Sequence, residues 1–468
     1  MLFVESATKL ASKRWHKQRR HVVISAMRHF AAELAEEGFE VDYRTAATLP
    51  AGLGEHVAEF DVDRVIAMEP MSWDGRAMLA RCGVTIDRNT QFLCHYQDFA
   101  DWASDRKSFK MEDFYRWQRR RLETLMDGDE PVEGQWNFDH DNRERPPRDG
   151  RSWPSITSFE LDAIDQEVIA EFGDNVWGDE PAGTWPVTRE QALVRLDDFI
   201  ANGLAPFGAH EDAMLQAEWK LAHSALACSM NLGLLEPHEI VVAAEQAYRN
   251  GDAPINSVEG FIRQIIGWRE YVWGLYWLWM PDYRLENHLE ATRPVPPVLL
   301  GKAPTDMACV ANTMRHVEQH GYAHHIERLM VLGNLALTSG VDPEAMTEWM
   351  WASFVDGAEW VMLPNVIGMA LHADGGRMAT KPYASGGAYI NKMSDSCKPC
   401  RFNPKNRTGE DACPFTTLYW DFLARNEAAF KGNHRMARQL AGMRRLSNLD
   451  QVRSRAKEIL VLLDQGQL

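Results

Sequence analysis

The 468-residue chain combines 45% hydrophobic with 25% charged residues, as soluble globular proteins do, and its length predicts two or three domains. It has no apolar run of membrane-spanning length and no signal-peptide pattern, and its seven scattered cysteines argue against a secreted disulfide framework. A reducing, cytoplasmic location is expected. The net charge of −17 argues against nucleic acid as a general partner.

Basic residues are nevertheless concentrated in two blocks. The first contains Lys9, Lys13, Arg14, Lys17, Arg19 and Arg20, and the second contains Arg435, Arg438, Arg444 and Arg445. A locally positive face on an acidic protein can bind DNA phosphates with a strong salt dependence. The alternative is that both blocks are solvated helix faces, and charge alone favours it.

The first 126 residues alternate short apolar runs with amphipathic stretches. Apolar runs at 21–24, 64–68 and 83–86 predict strands, and residues 25–37 predict a helix. This βαβ pattern predicts a Rossmann-like α/β domain over residues 1–126. Because the first strand begins almost at Met1, we expect either a late start of the chain or a sheet that lacks its opening strand.

The rest of the chain divides into a connector and a helical region. Residues 127–187 are rich in Pro, Gly, Asp and Arg, and the strings PPRDGR and DEPAG predict loops of a long linker. Residues 188–468 have a helical pattern almost throughout, with breaks at Pro254, at Pro281 and over 294–304. We therefore expect an all-α C-terminal domain.

Four cysteines in this helical region have the pattern of a metal site. Cys397 and Cys400 form a C-x2-C pair, Cys413 follows on the next loop, and Cys309 lies far upstream. Four thiolates suit an iron–sulfur cluster or a structural zinc ion. The surrounding sequence is aromatic-rich and has no obvious redox substrate pocket. We therefore expect a structural centre that holds these helices around another cofactor.

The segment 259–271, EGFIRQIIGWREY, places polar side chains and Trp268 on one helix surface. A core helix with charged flanks would have the same sequence pattern. The ending of the segment resembles the helix of the photolyase and cryptochrome family that lies between flavin and DNA lesion. The strings YAHHIERLM, LPNVIGM, ADGG, TKPYASGGAYINKMSDSC and ACPFTTLYWDFLARN extend the resemblance. They are similar to the iron–sulfur bacterial cryptochromes and prokaryotic (6-4) photolyases.

The resemblance implies a non-covalent FAD in the helical domain and a 4Fe–4S cluster on Cys309, Cys397, Cys400 and Cys413. The positions that match the family's flavin surroundings are His223, Ser224, Gln264, Arg269, His325, Trp349, Asp356, Asn365 and Met369. Hydroxyl and imidazole groups suit phosphate oxygens, amides and carboxylates suit the ribose or ring edge, and Met and Trp suit the ring face.

The family's activity is light-driven electron transfer from reduced FAD to a (6-4) photoproduct flipped out of the DNA duplex. By resemblance, His324, His325 and Tyr383 form the lesion side, where a histidine suits proton delivery, and Mg²⁺ assists repair. The enzyme is expected to act as a monomer on UV-damaged DNA. The alternative on the same fold is a cryptochrome-type blue-light photoreceptor with a protein partner. If the resemblance is set aside, the sequence indicates a zinc-stabilised helical protein.

Two departures from the family affect other expectations. The loop that helps to hold the usual antenna, 6,7-dimethyl-8-ribityllumazine, is missing before Met1, which argues against antenna binding. The electron path to the flavin is also altered, because Met350 follows Trp349 where the family often has tyrosine, and VLLGKAP at 298–304 lacks a tryptophan. Trp273, Trp351 or Trp360 are the candidate substitutes.

Overall fold

The structure is a computed structural model that describes all residues from 1 to 468. Its strands are β1 (Leu2–Ser6), β2 (Trp15–His16), β3 (Asp42–Ala46), β4 (Ile66–Met68), β5 (Thr85–Asp87), β6 (Met126–Asp127), β7 (Glu130–Pro131) and β8 (Val176–Trp177). Strand β1 pairs in parallel with β3, and β4 pairs in parallel with β5. Parallel pairs joined through helices make the N-terminal region α/β.

The remainder of the chain is mainly helical. The α-helices are α1 (Ala7–Ala11), α2 (Lys17–Glu36), α3 (Leu49–Glu59), α4 (Trp73–Arg81), α5 (Tyr96–Ala103), α6 (Met111–Leu122), α7 (Ala163–Ala170), α8 (Arg189–Asp198), α9 (Leu204–Phe207), α10 (Ala227–Leu232), α11 (Pro237–Asn250), α12 (Ile255–Ile262), α13 (Glu270–Trp279), α14 (Ala308–His320), α15 (Asn334–Ser339), α16 (Pro343–Ser353), α17 (Glu359–Pro364), α18 (Gly387–Met393), α19 (Pro414–Arg425), α20 (Ala437–Arg444) and α21 (Leu449–Gln465). None of them combines the length and apolar character that a membrane crossing requires.

Two of the three strands predicted near the N-terminus are confirmed. Strands β4 and β5 fall within or beside the runs at 64–68 and 83–86. The strand predicted at 21–24 is wrong, because this run lies inside helix α2. His21, Val22, Ile24 and Ser25 are all buried, and this spacing fits one face of a helix as well as a short strand. The His16 side chain caps the helix by accepting a hydrogen bond from the Gln18 amide.

The largest hydrophobic core is built from the C-terminal helices and is rich in aromatic rings. Trp273 and Trp360 are almost completely buried within it. Phe92, Phe99 and Phe114, from the predicted N-terminal domain, belong to the same core. The predicted divisions at residues 126 and 187 stay a prediction, but this packing joins the end of the first segment to the helical region.

The first basic block is largely used for packing within the protein. The ammonium groups of Lys9 and Lys13 lie 4.6 and 4.5 Å from the centroid of Trp351. The Arg19 guanidinium donates to the carbonyls of Phe354 and Val355 at 3.3 and 3.1 Å. These contacts fix the N-terminal segment on the helical region, whereas the four arginines of the second block are exposed.

Helix α2 is held against helix α7 by a buried group of polar side chains. His21 Nε2 lies 3.0 Å from Asp165 Oδ1, and Ser25 donates to the same carboxylate. His29 Nε2 is 3.7 Å from Asp165 and 3.6 Å from Asp162, the N-cap residue of α7. The contact with Asp165 raises the pKa of His29. Burial raises the pKa of Asp165, but the hydrogen bonds from its partners outweigh that effect and lower it.

Candidate functional site

The predicted flavin residues lie where the helices depart from α geometry. Four π-helical turns span Phe199–Gly203, Arg263–Arg269, Glu327–Gly333 and Asn365–Ala370. Gln264 and Arg269 lie on the second of them, and Asn365 and Met369 lie on the fourth. His325 begins the helix that runs into the third. Single π turns inside α-helices are frequently found at functional sites.

One wall of the site joins the loop before α10 to the segment after α16. The carboxylate of Asp356 accepts a hydrogen bond from Arg328 at 2.9 Å, and its carbonyl accepts one from Asn231 of α10, also at 2.9 Å. The ring of His223 stacks on that of His324, with centroids 4.7 Å apart. Thus the structure brings predicted residues from widely separated parts of the sequence together.

The two adjacent histidines have different environments. His324 has no exposed surface, and neither of its ring nitrogens has a hydrogen-bond partner. His325 is exposed, and desolvation by the surrounding protein together with the charge of Arg328 lowers its pKa to about 4. His325 is therefore open to solvent, whereas the neighbouring His324 is enclosed by protein.

A second wall is built around the buried ion pair of Arg269 and Glu270. Arg269 Nη1 donates to Glu270 Oε1 at 2.8 Å, and Glu270 Oε2 accepts from the Cys94 amide at 2.7 Å. The guanidinium lies 4.1 Å from the ring centroid of Phe92 and 5.4 Å from that of Trp360. Burial lowers the pKa of Arg269, and the charge of Glu270 opposes that change.

The remaining predicted flavin residues are half-buried or buried side chains of the same helices. The amide groups of Gln264 and Asn365 donate to carbonyls one turn earlier, at 2.9 and 2.8 Å. Ser224 accepts from the Leu226 amide at 3.4 Å at the start of α10. Trp349 and Met369 are buried, 8% and 5% exposed, in the core that these helices share.

Several buried donors around these walls have no partner within the protein. They are the Nε and Nη2 groups of Arg269, the Nη2 group of Arg328 and the indole N–H of Trp349. A buried donor without an acceptor costs roughly 1–3 kcal/mol, so such groups usually serve a ligand or water. Unpartnered N–H groups beside aromatic surfaces fit a ligand that combines acceptor oxygens with a flat ring, as a flavin dinucleotide does.

The rim that carries Tyr383 also contains acidic residues that the sequence analysis missed. Tyr383 is half-buried, and burial raises its pKa in spite of the nearby charges of Arg143 and Arg435. Burial raises the pKa of Glu211 to about 8 and that of Asp212 to about 6. The signal for them was the string HED at 210–212, a short polar run shortly before the His223–Ser224 pair.

The four cysteines converge on one cavity in the C-terminal region. Cys309 lies in the first turn of α14, Cys413 is the N-cap of α19, and Cys397 and Cys400 lie on the loop between α18 and α19. All four line one small cavity. A Cβ atom on Gly387 would lie 2.8 Å from Cys413 Sγ, so this wall needs glycine.

The distances between the cysteine sulfur atoms bear on the choice between a zinc ion and a larger metal cluster. The only set of three or more His, Cys, Asp or Glu residues with ligand atoms all within 4.8 Å of one another is His29, Asp162 and Asp165. No three cysteine sulfurs therefore lie that close together. A tetrahedral zinc ion with bonds of about 2.3 Å would bring its sulfurs to about 3.8 Å. The wider arrangement suits a larger group.

Comparisons with known proteins point to one family. The family model of "Deoxyribodipyrimidine photo-lyase-related protein" matches residues 1–178. The chain is 44% identical over 467 aligned residues to a "(6-4) photolyase" of Agrobacterium fabrum, covering 96% of this chain and 92% of the relative. It is 34% identical over 103 residues to an uncharacterized protein of Acanthamoeba polyphaga mimivirus, which covers 22% of this chain and 76% of that protein.

Among solved structures, a bacterial class III photolyase from Agrobacterium tumefaciens superposes with a TM-score of 0.56 at 16% identity, over 99% of this chain and 92% of the other. This match confirms the fold class expected from the sequence, an α/β N-terminal region followed by a helical C-terminal region. The identity over almost the whole length confirms the family. The chain belongs to the photolyase and cryptochrome family, in the group of the bacterial (6-4) photolyases.

Proposed function

We propose that the protein is a light-driven, FAD-dependent DNA photolyase that repairs (6-4) pyrimidine–pyrimidone photoproducts. The observation that carries this proposal is the 44% identity to a (6-4) photolyase over 96% of the chain. Similarity over so much of the chain includes both the flavin-side walls and the rim that carries Tyr383. The activity of that relative therefore supports the same activity for this protein.

Different residues would bind the cofactor and contact the lesion. FAD, when bound, reduced and excited by light, supplies the electron that starts repair. The unpartnered N–H groups of Arg269, Arg328 and Trp349 would hold its acceptor atoms, and the stacked aromatic core would exclude water. His325 is exposed, so a flipped base would be able to reach its ring, which would deliver a proton to the lesion. Tyr383 would line the entrance.

The rim around Tyr383 explains how an acidic protein could bind DNA. Arg143 and Arg435 supply positive charge beside this tyrosine, whereas Asp212 supplies negative charge. An ionised carboxylate would repel the phosphates that flank a flipped nucleotide. Mg²⁺ prefers carboxylate and phosphate oxygens, so it would bridge the two and assist repair. We expect the affinity to depend on both salt and Mg²⁺.

We further propose a 4Fe–4S cluster bound by Cys309, Cys397, Cys400 and Cys413. All four cysteines line one cavity, and no three of their sulfurs lie within 4.8 Å of one another, which supports the cluster over zinc. Its role would be structural, because it joins the start of α14 to the start of α19. Metal analysis with electron paramagnetic resonance tests the assignment. Zinc without iron would contradict it.

The decisive experiment is a light-dependent repair assay. Purified, reduced, FAD-loaded protein with Mg²⁺ is mixed with an oligonucleotide that contains one (6-4) photoproduct, in blue light and in darkness. Light-dependent restoration of the strand is expected. A His325→Ala variant should lose repair, its FAD content is measured in parallel because the resemblance also places His325 beside the flavin, and the exposed His238→Ala variant on α11 provides the matched control. Flavin-loaded protein that repairs nothing would favour a photoreceptor, and extraction of bound chromophores would reveal any lumazine antenna.

A further inference from the structure

Four aromatic side chains form a continuous line of ring contacts that begins at the wall around Arg269. The ring centroids of Trp360 and Trp273 lie 5.7 Å apart, and those of Trp273 and Trp277 lie 5.5 Å apart. Trp277 stacks on Tyr96 with centroids 4.7 Å apart. All three distances fall in the range of contacting aromatic pairs, about 4.5–7 Å. The line joins the Arg269 guanidinium, 5.4 Å from the ring centroid of Trp360, to the partly exposed Tyr96.

We propose that Tyr96 is the terminal electron donor for light-driven reduction of the flavin, with Glu69 as its proton acceptor, an inference that rests on the proposed function. After light absorption, Trp360 gives one electron to the flavin. The electron hole on Trp360 is filled from Trp273, and the next hole is filled from Trp277. Tyr96 then gives one electron to Trp277 and its phenol proton to the Glu69 carboxylate. An external thiolate returns one electron to Tyr96 and leaves as a thiyl radical, while Glu69 returns the proton. The flavin thus gains the one electron that the thiolate loses.

The last residue of the line can lose a proton together with an electron. Tyr96 donates to Glu69 Oε1 at 2.6 Å, and Glu69 is only 5% exposed. His95 Nε2 lies 2.9 Å from Glu69 Oε2, and Arg76 Nε donates to Oε1 at 3.0 Å. Burial raises the pKa of Glu69, but the hydrogen bonds of Tyr96 and His95 outweigh that effect and lower it. Burial and the hydrogen bond to Glu69 raise the pKa of Tyr96 to about 12. A neutral phenol therefore faces an ionised carboxylate, which is the acceptor that an oxidised phenol needs.

The three tryptophans have no group that could take a proton from them. Trp360 and Trp273 are almost completely buried, and Trp277 is 7% exposed. Their indole N–H groups have no hydrogen-bond partner, although buried donors are usually paired. An oxidised indole that cannot lose its proton remains a cation and readily takes an electron from the next ring. The hole therefore moves along the line until it reaches Tyr96, the ring that can lose its proton.

Trp351, the third tryptophan that the sequence offered as a substitute, is a poorer electron donor. The ammonium groups of Lys9 and Lys13 lie 4.6 and 4.5 Å from its ring centroid, and only Lys13 pairs with a carboxylate. Positive charge over a ring makes the loss of an electron harder. The charge of Arg269 beside the first indole of the line, by contrast, is balanced by Glu270. Charge therefore favours the line that ends at the tyrosine.

One branch leaves the line before its end. Trp73 is partly exposed, and its ring centroid lies 5.7 Å from that of Trp277. Tyr96 lies 1 Å closer to Trp277 and has Glu69 as a proton acceptor. These two differences favour Tyr96 over Trp73 as the end of the line.

The first test measures blue-light reduction of the FAD-loaded protein, with oxidised flavin and dithiothreitol as the thiol, from the loss of flavin absorbance. We expect Tyr96→Phe to lower the rate about tenfold, part of the 100-fold or more that a positioned proton acceptor contributes. Glu69→Gln keeps the tyrosine but cannot take its proton, so it should slow the reduction in the same way. Trp73→Phe should reduce at the wild-type rate. Tyr248→Phe is the matched control, because it removes another partly exposed phenol that donates to a carboxylate, at 3.2 Å.

A second measurement identifies the residue that carries the radical. Electron paramagnetic resonance is recorded on protein that is frozen during illumination, with and without ring-deuterated tyrosine. Deuteration should narrow the wild-type radical signal, and the tyrosyl signal should be absent in Tyr96→Phe. Radical formation should also be slower in D₂O, because the phenol proton moves with the electron. An indole radical on Trp73 in the wild type, or photoreduction of Tyr96→Phe at the wild-type rate, would overturn the inference. Repair by chemically reduced wild-type protein would in that case leave the photolyase assignment intact, whereas a protein that binds no FAD would overturn both.

Discussion

Removal of the Glu270 carboxylate is expected to destabilise the protein more than removal of its partner Arg269. Glu270 is fully buried, binds Arg269 at 2.8 Å and accepts from the Cys94 amide at 2.7 Å. Glu270→Ala leaves a buried guanidinium that cannot lose its proton, which costs about 3–5 kcal/mol. The orphaned Cys94 amide adds about 1–3 kcal/mol. We therefore expect a loss of about 5 kcal/mol near pH 7.

Arg269→Ala has a different pH dependence because the carboxyl group left behind can take up a proton. Its folded-state pKa, already raised by burial, would rise further without the guanidinium. A raised folded pKa favours folding below the unfolded pKa of about 4.3, and this advantage is lost as pH rises. The wild type shares this loss up to its own folded-state pKa of Glu270, so the cost of Arg269→Ala should grow above that pKa, by up to about 1.4 kcal/mol per pH unit.

Urea unfolding of the FAD-loaded variants measures both effects, with intrinsic tryptophan fluorescence as the signal. The two single variants, the double variant and the wild type form a cycle that isolates the coupling of the pair. A loss below about 1 kcal/mol in Glu270→Ala would refute the reasoning, because breaking a buried pair should cost several times more. So would a cost of Arg269→Ala that does not grow as pH rises.

Three further predictions follow from local geometry. His29→Gln should lower the melting temperature at about pH 5.5 but hardly at about pH 8.5, because a raised pKa stabilises the fold below about 6.5 and the gain is lost as pH rises; equal losses would contradict this. Gly274→Ala should cost about 1–3 kcal/mol, since its Cβ would lie 2.1 Å from a buried phenylalanine ring, whereas Gly54→Ala in open space should gain up to about 1 kcal/mol. If the urea midpoints of Gly274→Ala and Gly54→Ala moved in the same direction, the two glycine predictions would be contradicted. Cys413→Ala should lose the iron that the exposed Cys82→Ala variant retains, as iron analysis would reveal.

The cysteine site could be predicted from sequence because its chemistry depends on residue type and short spacing. Cys397 and Cys400 are bound to lie near each other whatever the surrounding fold. Cys309 reaches the other cysteines only through the tertiary fold, and only the resemblance predicted its position there. The strand predicted at 21–24 failed for a related reason, since four residues are too few to distinguish a period of 2 from one of 3.6.

The environments of the two adjacent histidines could not be predicted from their neighbours in sequence. Consecutive residues at a helix start differ by about 100° in direction, so His325 can be exposed while His324 is fully buried. Which of the two is exposed depends on packing against helix α14, which contributes His316. The ion pair of Arg269 and Glu270 was equally hidden, because the Cys94 amide that completes it lies 176 residues away.

The π turns imply that helix length, more than side-chain identity, limits how this protein can vary. A π turn contains about one residue more than an α turn, so deletion of one residue from Arg263–Arg269 would restore a regular helix. Every residue beyond the deletion would then rotate by about 100°. Glu270 would leave the Cys94 amide and Trp273 would leave the ring of Phe92. A regular helix grafted from an unrelated protein would therefore point its side chains in the wrong directions after this turn, even if their identities were suitable.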